Sequence, residues 1–412
     1  MDEKNEKIEI EKNKFLKGAL CGALVMLVLI GAVLGGMYVV KNGNALSASK
    51  NGSDKVVNEN TETKLELLQA YVKVKYLHQK DVDSDKLEEG LYKGYVEGLS
   101  DPYSEYYTAK ETKEMSLSNE GKFGGIGVTM SQDNETQIIT LLNIQKDSPA
   151  EKAGIEERDV LYKVNGENIT SQPSSEVVEK VRGDIGSEVK ITVVKAKTGE
   201  QKEYTVIRDK IDSNTVFHEM VEGNVGHIYV KEFDTVTYEQ FQSAMEDLEK
   251  QGMEGLIVDL RNNGGGSLDT VCQMLDLILP KGTIVYTEDK NGKKETFTSD
   301  EERKFTKPIA VLVNEYTASA SEIFAGAIQD YGLGNVVGTT TYGKGVVQNI
   351  YNMQDGSSVK LTTAQYFTPK GRCIQGTGIK PDLEVEWKPD NADETLDNQF
   401  QAALEDIQKK LN

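Results

Sequence analysis

Ser319 and Lys344 are the two residues of this chain whose types and settings could do chemistry together. The serine lies in Thr317-Ala-Ser-Ala-Ser-Glu-Ile-Phe-Ala-Gly326, at a predicted helix start, and the lysine in Thr341-Tyr-Gly-Lys-Gly-Val-Val-Gln348. A serine hydroxyl is a weak nucleophile at neutral pH and needs a base, most often histidine. The three histidines, His78, His218 and His227, stand in no recognisable catalytic context. Lysine can serve instead if burial disfavours its ammonium form and pulls the pKa down from about 10.4. Lys344 is bracketed by Gly343 and Gly345 and followed by Val346, Val347 and Ile350, whereas most other lysines stand among charged neighbours. Gln348, four residues on, falls on the same face in a strand or a helix and could hold the amine. The plain alternative is a lysine on an edge strand.

The serine also has a plain alternative. With Ser319 as N-cap, Glu322 becomes the third helical residue, and Ser319-Ala-Ser-Glu322 reads as a capping box. Ile323, Phe324, Ala327, Ile328 and Tyr331 then form one apolar side of the helix. The same helix start, however, offers free N–H groups and a favourable dipole to an oxyanion, and the small Ala318 and Ala320 leave room for a substrate carbonyl. A second donor could come from Arg261-Asn-Asn-Gly-Gly-Gly266, a glycine loop at the end of a buried strand. A nucleotide site is not indicated, because neither a Gly-Lys-Ser/Thr ending nor a spaced dinucleotide fingerprint is present.

The elements that must position these groups alternate beyond residue 210. Strands at 227–233, 256–260 and 309–313 are separated by predicted helices at 238–251 and 267–279, and a further helix runs to Tyr331. The runs at 256–260 and 309–313 are apolar throughout, as in strands buried on both faces, which predicts a layered α/β domain. Residues 123–210 have another texture: short β-branched runs punctuated by Gly, Asp and Asn, with helices at Ser148-Pro-Ala-Glu-Lys-Ala-Gly154 and at 174–182. That order resembles a PDZ domain. Gly125-Ile-Gly-Val128 stands at the position of its carboxylate-binding loop, where glycines let successive N–H groups converge on a peptide terminus. The peptide would add as a strand beside Val128.

Before this, residues 65–74 and 87–99 show near-helical apolar spacing, and Ser100-Asp-Pro-Tyr-Ser-Glu-Tyr-Tyr107 breaks the pattern with a turn. Residues 41–60 are polar and aperiodic, as a flexible linker would be. Residues 18–40 are 23 in a row without a charge, long enough to cross a bilayer. Lys12, Lys14 and Lys17 ahead of this run place the N-terminus inside, so the body is expected outside the cytoplasm, on a single-pass anchor in the cell membrane. The stretch Ala45-Leu-Ser-Ala-Ser49 is the alternative, a signal-peptidase site. A net charge of −20 argues against electrostatic affinity for nucleic acid. Three scattered cysteines make neither a disulfide framework nor a zinc site, and no metal or organic cofactor is expected.

GLIVDLRNNGGG, VLVNEYTASASEIFAGAIQD, TTYGKGVVQ and YFTPKGRCIQGTGIKPDLEV, in that order after a PDZ domain, resemble the bacterial carboxyl-terminal processing (tail-specific) proteases, over about residues 61–390. The resemblance implies a serine-type endopeptidase with Ser319, rather than Ser321, as nucleophile, Lys344 as base and Gln348 orienting the lysine. It implies an oxyanion hole from the amide of Ala320 with that of Gly264 or Gly265, and supporting roles for Glu322 and Asp330. Where the family often has Asn-Pro-Gly-Gly, this chain has Asn263-Gly-Gly-Gly266. The resemblance also implies protein substrates engaged through their C-termini, and a homodimer is one arrangement it suggests.

The expected fold class is thus multidomain α+β. It comprises a cytoplasmic tail (1–17), transmembrane helix (18–40), linker (41–60), helical region (61–114), PDZ β-sandwich-like domain (115–210) and layered α/β (crotonase/ClpP-like) catalytic domain with a C-terminal tail (211–412). A catalytically inert PDZ scaffold would need neither Ser319, Lys344 nor Gln348. A trypsin-like PDZ protease would carry its His, Asp and Gly-Asn-Ser-Gly ahead of the PDZ domain, and these are absent from the sequence.

Overall fold

The alternation of side chains along two apolar strands organises the layered α/β part of the molecule. In Gly255–Asp259 and Ile309–Val313 every residue is buried, and successive residues face opposite layers. Leu256, Val258, Ile309, Val311 and Val313 point into one core, Ile257, Ala310 and Leu312 into another. A strand buried on both faces needs cover on both, which explains its continuous apolar run.

The computed structural model describes residues 55–133, 136–300, 305–388 and 397–411. The expected membrane span at 18–40 and most of the linker lie outside them; among the described residues no helix is long and apolar enough to cross a membrane. The chain divides into two compact units, up to Asp83 and from Ser84. In the first, the helix Glu59–Lys75 is capped by Asn58, whose side chain accepts from the N–H groups of Asn60 and Thr61. Its apolar residues Leu65, Leu68 and Tyr71 are exposed.

In the second unit, a six-stranded sheet has the order Val216–Val221, Val225–Val230, Gly255–Asp259, Ile309–Val313, Gly334–Gly338 and Leu383–Glu384. The first pair is antiparallel and the remaining pairs are parallel. Helices Thr237–Lys250, Leu268–Asp276 and Ala320–Tyr331 cover one face. The C-terminal helix Asn398–Leu411 covers the other, inserting Ala403, Leu404 and Ile407. Arg261 fastens this helix, donating to Asp259 and Gln399 and pairing with Asp397 at 2.6 Å.

A second sheet is built on the long strand Ser358–Phe367, with Gly282–Asp289, Lys294–Ser299, Val346–Asn352 and the short Glu105–Tyr107. It carries the chain just after Lys344, and the residues 100–107 that read as a simple turn join it through the pairing of Glu105–Tyr107.

The PDZ part is a six-stranded antiparallel sheet in the order Val128–Gln132, Ile139–Ile144, Val160–Val164, Glu188–Val194 and Gln201–Ile207, with the short Glu167–Asn168 paired to Val160–Val164 off this path, around Leu141, Leu161, Val189 and Ile191. Its entry strand Lys122–Gly125 and exit strand Asp209–Asp212 pair with each other as a two-stranded stem. Val128–Gln132 is an edge strand beside the helix Ser174–Val181, and Gln132 bridges to the Ser174 N–H and Gln172 carbonyl. Gly125, Ile126 and Gly127 form the turn into this edge. Gly127 has φ +77°, and a Cβ there would stand 2.3 Å from Ser148 Cβ, so the turn requires glycine.

The helix that begins after Ser319 is seated by aromatic packing. Phe324 lies 6.5 Å from Phe233 and 6.3 Å from Phe241, centroid to centroid, and all three are fully buried. Phe324→Ala should cost about 3–5 kcal/mol in denaturant unfolding. A loss below about 1 kcal/mol would show that the helix is held elsewhere.

Candidate active site

Ser319 adopts φ +57° and ψ −117°, a backbone region that non-glycine residues rarely occupy. The strand Ile309–Val313 delivers the chain, a tight turn follows, and the helix starts at Ala320. Two buried polar residues hold the turn. Thr317 Oγ1 donates to the Leu260 carbonyl (2.8 Å) and accepts from the Asn314 N–H (2.9 Å). Asn263, fully buried, donates its amide to the Val230 carbonyl and accepts from the Gly265 N–H. Its own carbonyl accepts from the Ala318 N–H and from Ser321 Oγ, each at 3.0 Å. Ser321 is thereby a buried structural hydroxyl, whereas Ser319 remains partly exposed.

The expected capping box is present: the Glu322 carboxylate accepts from the Ser319 N–H at 2.9 Å and the Ser319 side chain faces the Glu322 N–H, which also donates to the Ser319 carbonyl at 2.9 Å.

Glu322 reaches the second segment as well. Its carboxylate accepts from Thr341 Oγ1 (2.5 Å), the Gly343 N–H (2.8 Å) and the Lys344 N–H (2.9 Å). Burial pushes its pKa up, while these donors and the Ser319 N–H oppose the rise. The buried hydroxyl of Tyr366 donates between the Ser319 carbonyl (3.1 Å) and the Lys344 carbonyl (2.5 Å). The backbones on either side of the candidate pair are therefore tied by the same two side chains.

Ser319 and Lys344 line one cavity of about 590 Å³, with Ala320, Gly264, Gln348 and Tyr103 among its walls. Lys344 Nζ sits 4.8 Å from the Tyr103 ring centroid and makes no hydrogen bond to Ser319 Oγ among the described residues. Burial, then the nearby charge of Lys360, pushes the lysine below its usual pKa; Asp101 and Glu322 pull the other way. Gln348 donates its amide to Thr362 Oγ1 at 3.1 Å rather than contacting the lysine. A bulge between Val347 and Gln348 interrupts the strand alternation that would have aligned it.

The glycine loop lies against the serine turn. Gly265 has φ +102°, and a Cβ there would stand 2.8 Å from Ser319 Cβ and 2.9 Å from the Ala320 nitrogen. The Gly265 N–H is taken by Asn263, while that of Gly264 has no hydrogen bond among the described residues. The Ala320 N–H, first in its helix, has no intrahelical partner. Asp330 is remote from this turn. It pairs with Arg372 at 2.5 Å and accepts from the Lys370 N–H, holding the loop after Ser358–Phe367. No histidine lines the cavity: His218 pairs with Asp247 at the surface, and His227 packs on Phe400 of the C-terminal helix. Among the described residues no group of three or more His, Cys, Asp or Glu could hold a metal.

Tyr103, Asn263, Thr341 and Tyr366 were not singled out from sequence. Tyr103 had a signal, the Ser-Asp-Pro-Tyr turn, but nothing local announces that a turn more than 200 residues upstream of the serine enters its cavity.

Residues 224–385 match Peptidase family S41, residues 141–195 the PDZ domain, and residues 26–112 the N-terminal domain of the activating protease CtpB. The chain is 39% identical over 322 residues to the carboxy-terminal processing protease CtpA of Bacillus subtilis (strain 168), covering 78% of this chain and 68% of that protein. It is 38% identical over 371 residues to a probable CtpA-like serine protease of Staphylococcus epidermidis (strain RP62A), covering 87% and 72%. The solved photosystem II D1 C-terminal processing protease aligns with 79% of this chain and 88% of its own, at 26% identity and a TM-score of 0.45. On the strength of the two bacterial relatives and the S41 and PDZ matches, the chain belongs to the S41 peptidases and is a serine-type, PDZ-containing C-terminal processing protease.

Proposed function

We propose that the protein is a membrane-anchored endopeptidase that trims the C-terminal region of extracytoplasmic proteins, using Ser319 as nucleophile and Lys344 as general base. The observation that carries this reading is the partly exposed Ser319 on its positive-φ turn, in one cavity with a partly buried lysine and against a glycine loop. The neutral amine of Lys344 swings from Tyr103 to take the Ser319 proton as Oγ bonds to the scissile carbonyl carbon. The N–H groups of Ala320 and Gly264 stabilise the oxyanion; Gly264 is the better second donor because Gly265 is already committed to Asn263. The Lys344 ammonium then protonates the leaving amine as the C–N bond breaks, and water, deprotonated by the amine, releases the acyl product.

Gln348 acts beside the lysine once that side chain moves, while Glu322 positions both reacting segments and Asp330 steadies the loop behind them. Residues 18–40 hold the body at the outer membrane surface. The PDZ part takes the substrate C-terminus, with its carboxylate at Gly125–Ile126–Gly127 and its strand along the open edge of Val128–Gln132.

Three experiments on the full chain test these roles. Ser319→Ala and Lys344→Ala should each lower peptide cleavage by about 100- to 10,000-fold while the protein stays folded. Retained cleavage in either would remove that residue from the mechanism. Because Lys344 must be neutral to act, kcat/KM should rise with pH through its lowered pKa and be lost on acidification. Lys360→Met removes a repelling charge, raises the Lys344 pKa and should move that rise to higher pH; a shift to lower pH contradicts the assignment. Replacing the C-terminal carboxylate of a peptide substrate by an amide should raise KM by about tenfold or more. An unchanged KM speaks against capture by the PDZ loop.

A further inference from the structure

Asp234 presents a carboxyl without a hydrogen-bond partner to the cavity that holds Ser319. It lies in the turn after Val225–Val230, beside the glycine loop. On one side, Phe233 donates its N–H to the Gly265 carbonyl (2.9 Å) and accepts from the Ser267 N–H (2.7 Å). On the other, the Thr235 N–H donates to the Asn119 carbonyl at 3.1 Å, and the Asp234 N–H itself donates to Thr237 Oγ1 at 3.0 Å. The backbone is pinned at every step, so the side chain is held in place. Gly121, at the base of the PDZ stem, closes over one flank: a Cβ there would stand 2.9 Å from Asp234 Cβ.

The residue is 9% exposed and neither carboxyl oxygen accepts a hydrogen bond among the described residues, so what remains accessible of the side chain opens on the cavity. A largely buried carboxyl left open to a cavity beside a reactive residue is free to take a cationic partner. Burial, then the charge of Glu232, pushes its pKa up to about 7, with Lys231 opposing. The other charged groups nearby do not pair with it. Asp269, from the helix Leu268–Asp276, adds a second carboxyl to the cavity wall. Lys360 is held by Tyr107 and Glu105, Lys344 lies over Tyr103, and Glu120 pairs with both Lys122 and Lys210. Asp234 and Asp269 thus make an acidic stretch of a wall whose two lysines, Lys344 and Lys360, are engaged elsewhere.

We propose that Asp234 is a specificity-determining residue that binds a cationic side chain, lysine or arginine, of the peptide substrate inside the Ser319 cavity, an inference that rests on the peptidase reading above. Ionised, the carboxyl pairs with the cation; protonated, it does not. The preference for a basic residue is therefore full above about pH 7 and fades below it. The unpaired carboxyl also opposes folding. Its folded-state pKa is raised from 3.8, so stability is full below that value and lost as pH rises toward 7, a loss that Asp234→Asn removes.

The test compares the full chain as wild type, Asp234→Asn and Ser319→Ala on internally quenched peptides that carry lysine, norleucine or glutamate at one position at a time. In the wild type at pH 8 one position should favour lysine over norleucine. That ratio of kcat/KM should fall about tenfold in Asp234→Asn, and in the wild type it should decline toward the variant's value at pH 6. Absence of any lysine preference in the wild type, an unchanged ratio in the variant, or an equal loss for all peptides overturns the assignment. Cleavage by Ser319→Ala would instead overturn the peptidase reading itself. Thermal unfolding adds an independent readout: Asp234→Asn should gain more stability over the wild type at pH 8 than at pH 5, and the absence of that difference contradicts a buried, unpaired carboxyl.

Discussion

A single buried carboxylate, that of Glu322, holds the two segments of the candidate site in register. Ser319 and Lys344 sit on different elements: the serine opens a helix against the central sheet, the lysine leads into a strand of the second sheet. Neither element has a reason of its own to stop at the right place relative to the other. Glu322 supplies one by accepting from the N–H groups of Ser319, Gly343 and Lys344 and from the Thr341 hydroxyl. A carboxylate removed from water is costly unless its lone pairs are filled, and here four donors fill them. The arrangement is correspondingly intolerant of slippage, since moving either segment would strand a buried charge.

Much of this was legible in the sequence, and what was not follows from the range of the interactions. The apolar runs at 256–260 and 309–313 and the helix through Tyr331 carry local periodicity, and the strands and helix formed as their patterns imply. Glu322 was legible as a capping residue, and the Ser319 N–H does bind it. Its bonds to Gly343 and Lys344 were not, because they span some twenty residues and leave no spacing signature. The second sheet was missed for a related reason. Its strands at Gly282–Asp289, Lys294–Ser299 and Ser358–Phe367 are rich in threonine and charge and lie half exposed at their edges, so they lack the continuous apolar run of the central strands.

The same range of interaction explains why the site is larger than its motif. Asn263 joins the glycine loop to the serine turn, Tyr366 bridges the carbonyls of serine and lysine, and Tyr103 arrives from a segment far upstream. Each is an ordinary residue in its local context and gains its role only through contact. The strained backbone at Ser319 is what these ties sustain: a positive φ at a side-chain-bearing residue persists where its surroundings over-determine it.

The stem beneath the PDZ part has a topological meaning. Gly125 and Asp209 face each other across an antiparallel pair, so everything between them is, from the viewpoint of the peptidase, an enlarged hairpin loop. Loop-closure entropy grows only with the logarithm of length, so the fold below the stem is almost indifferent to what the loop contains. A domain attached in this way can be exchanged for another, or pared back to a tight turn, without re-routing the chain through the peptidase layers.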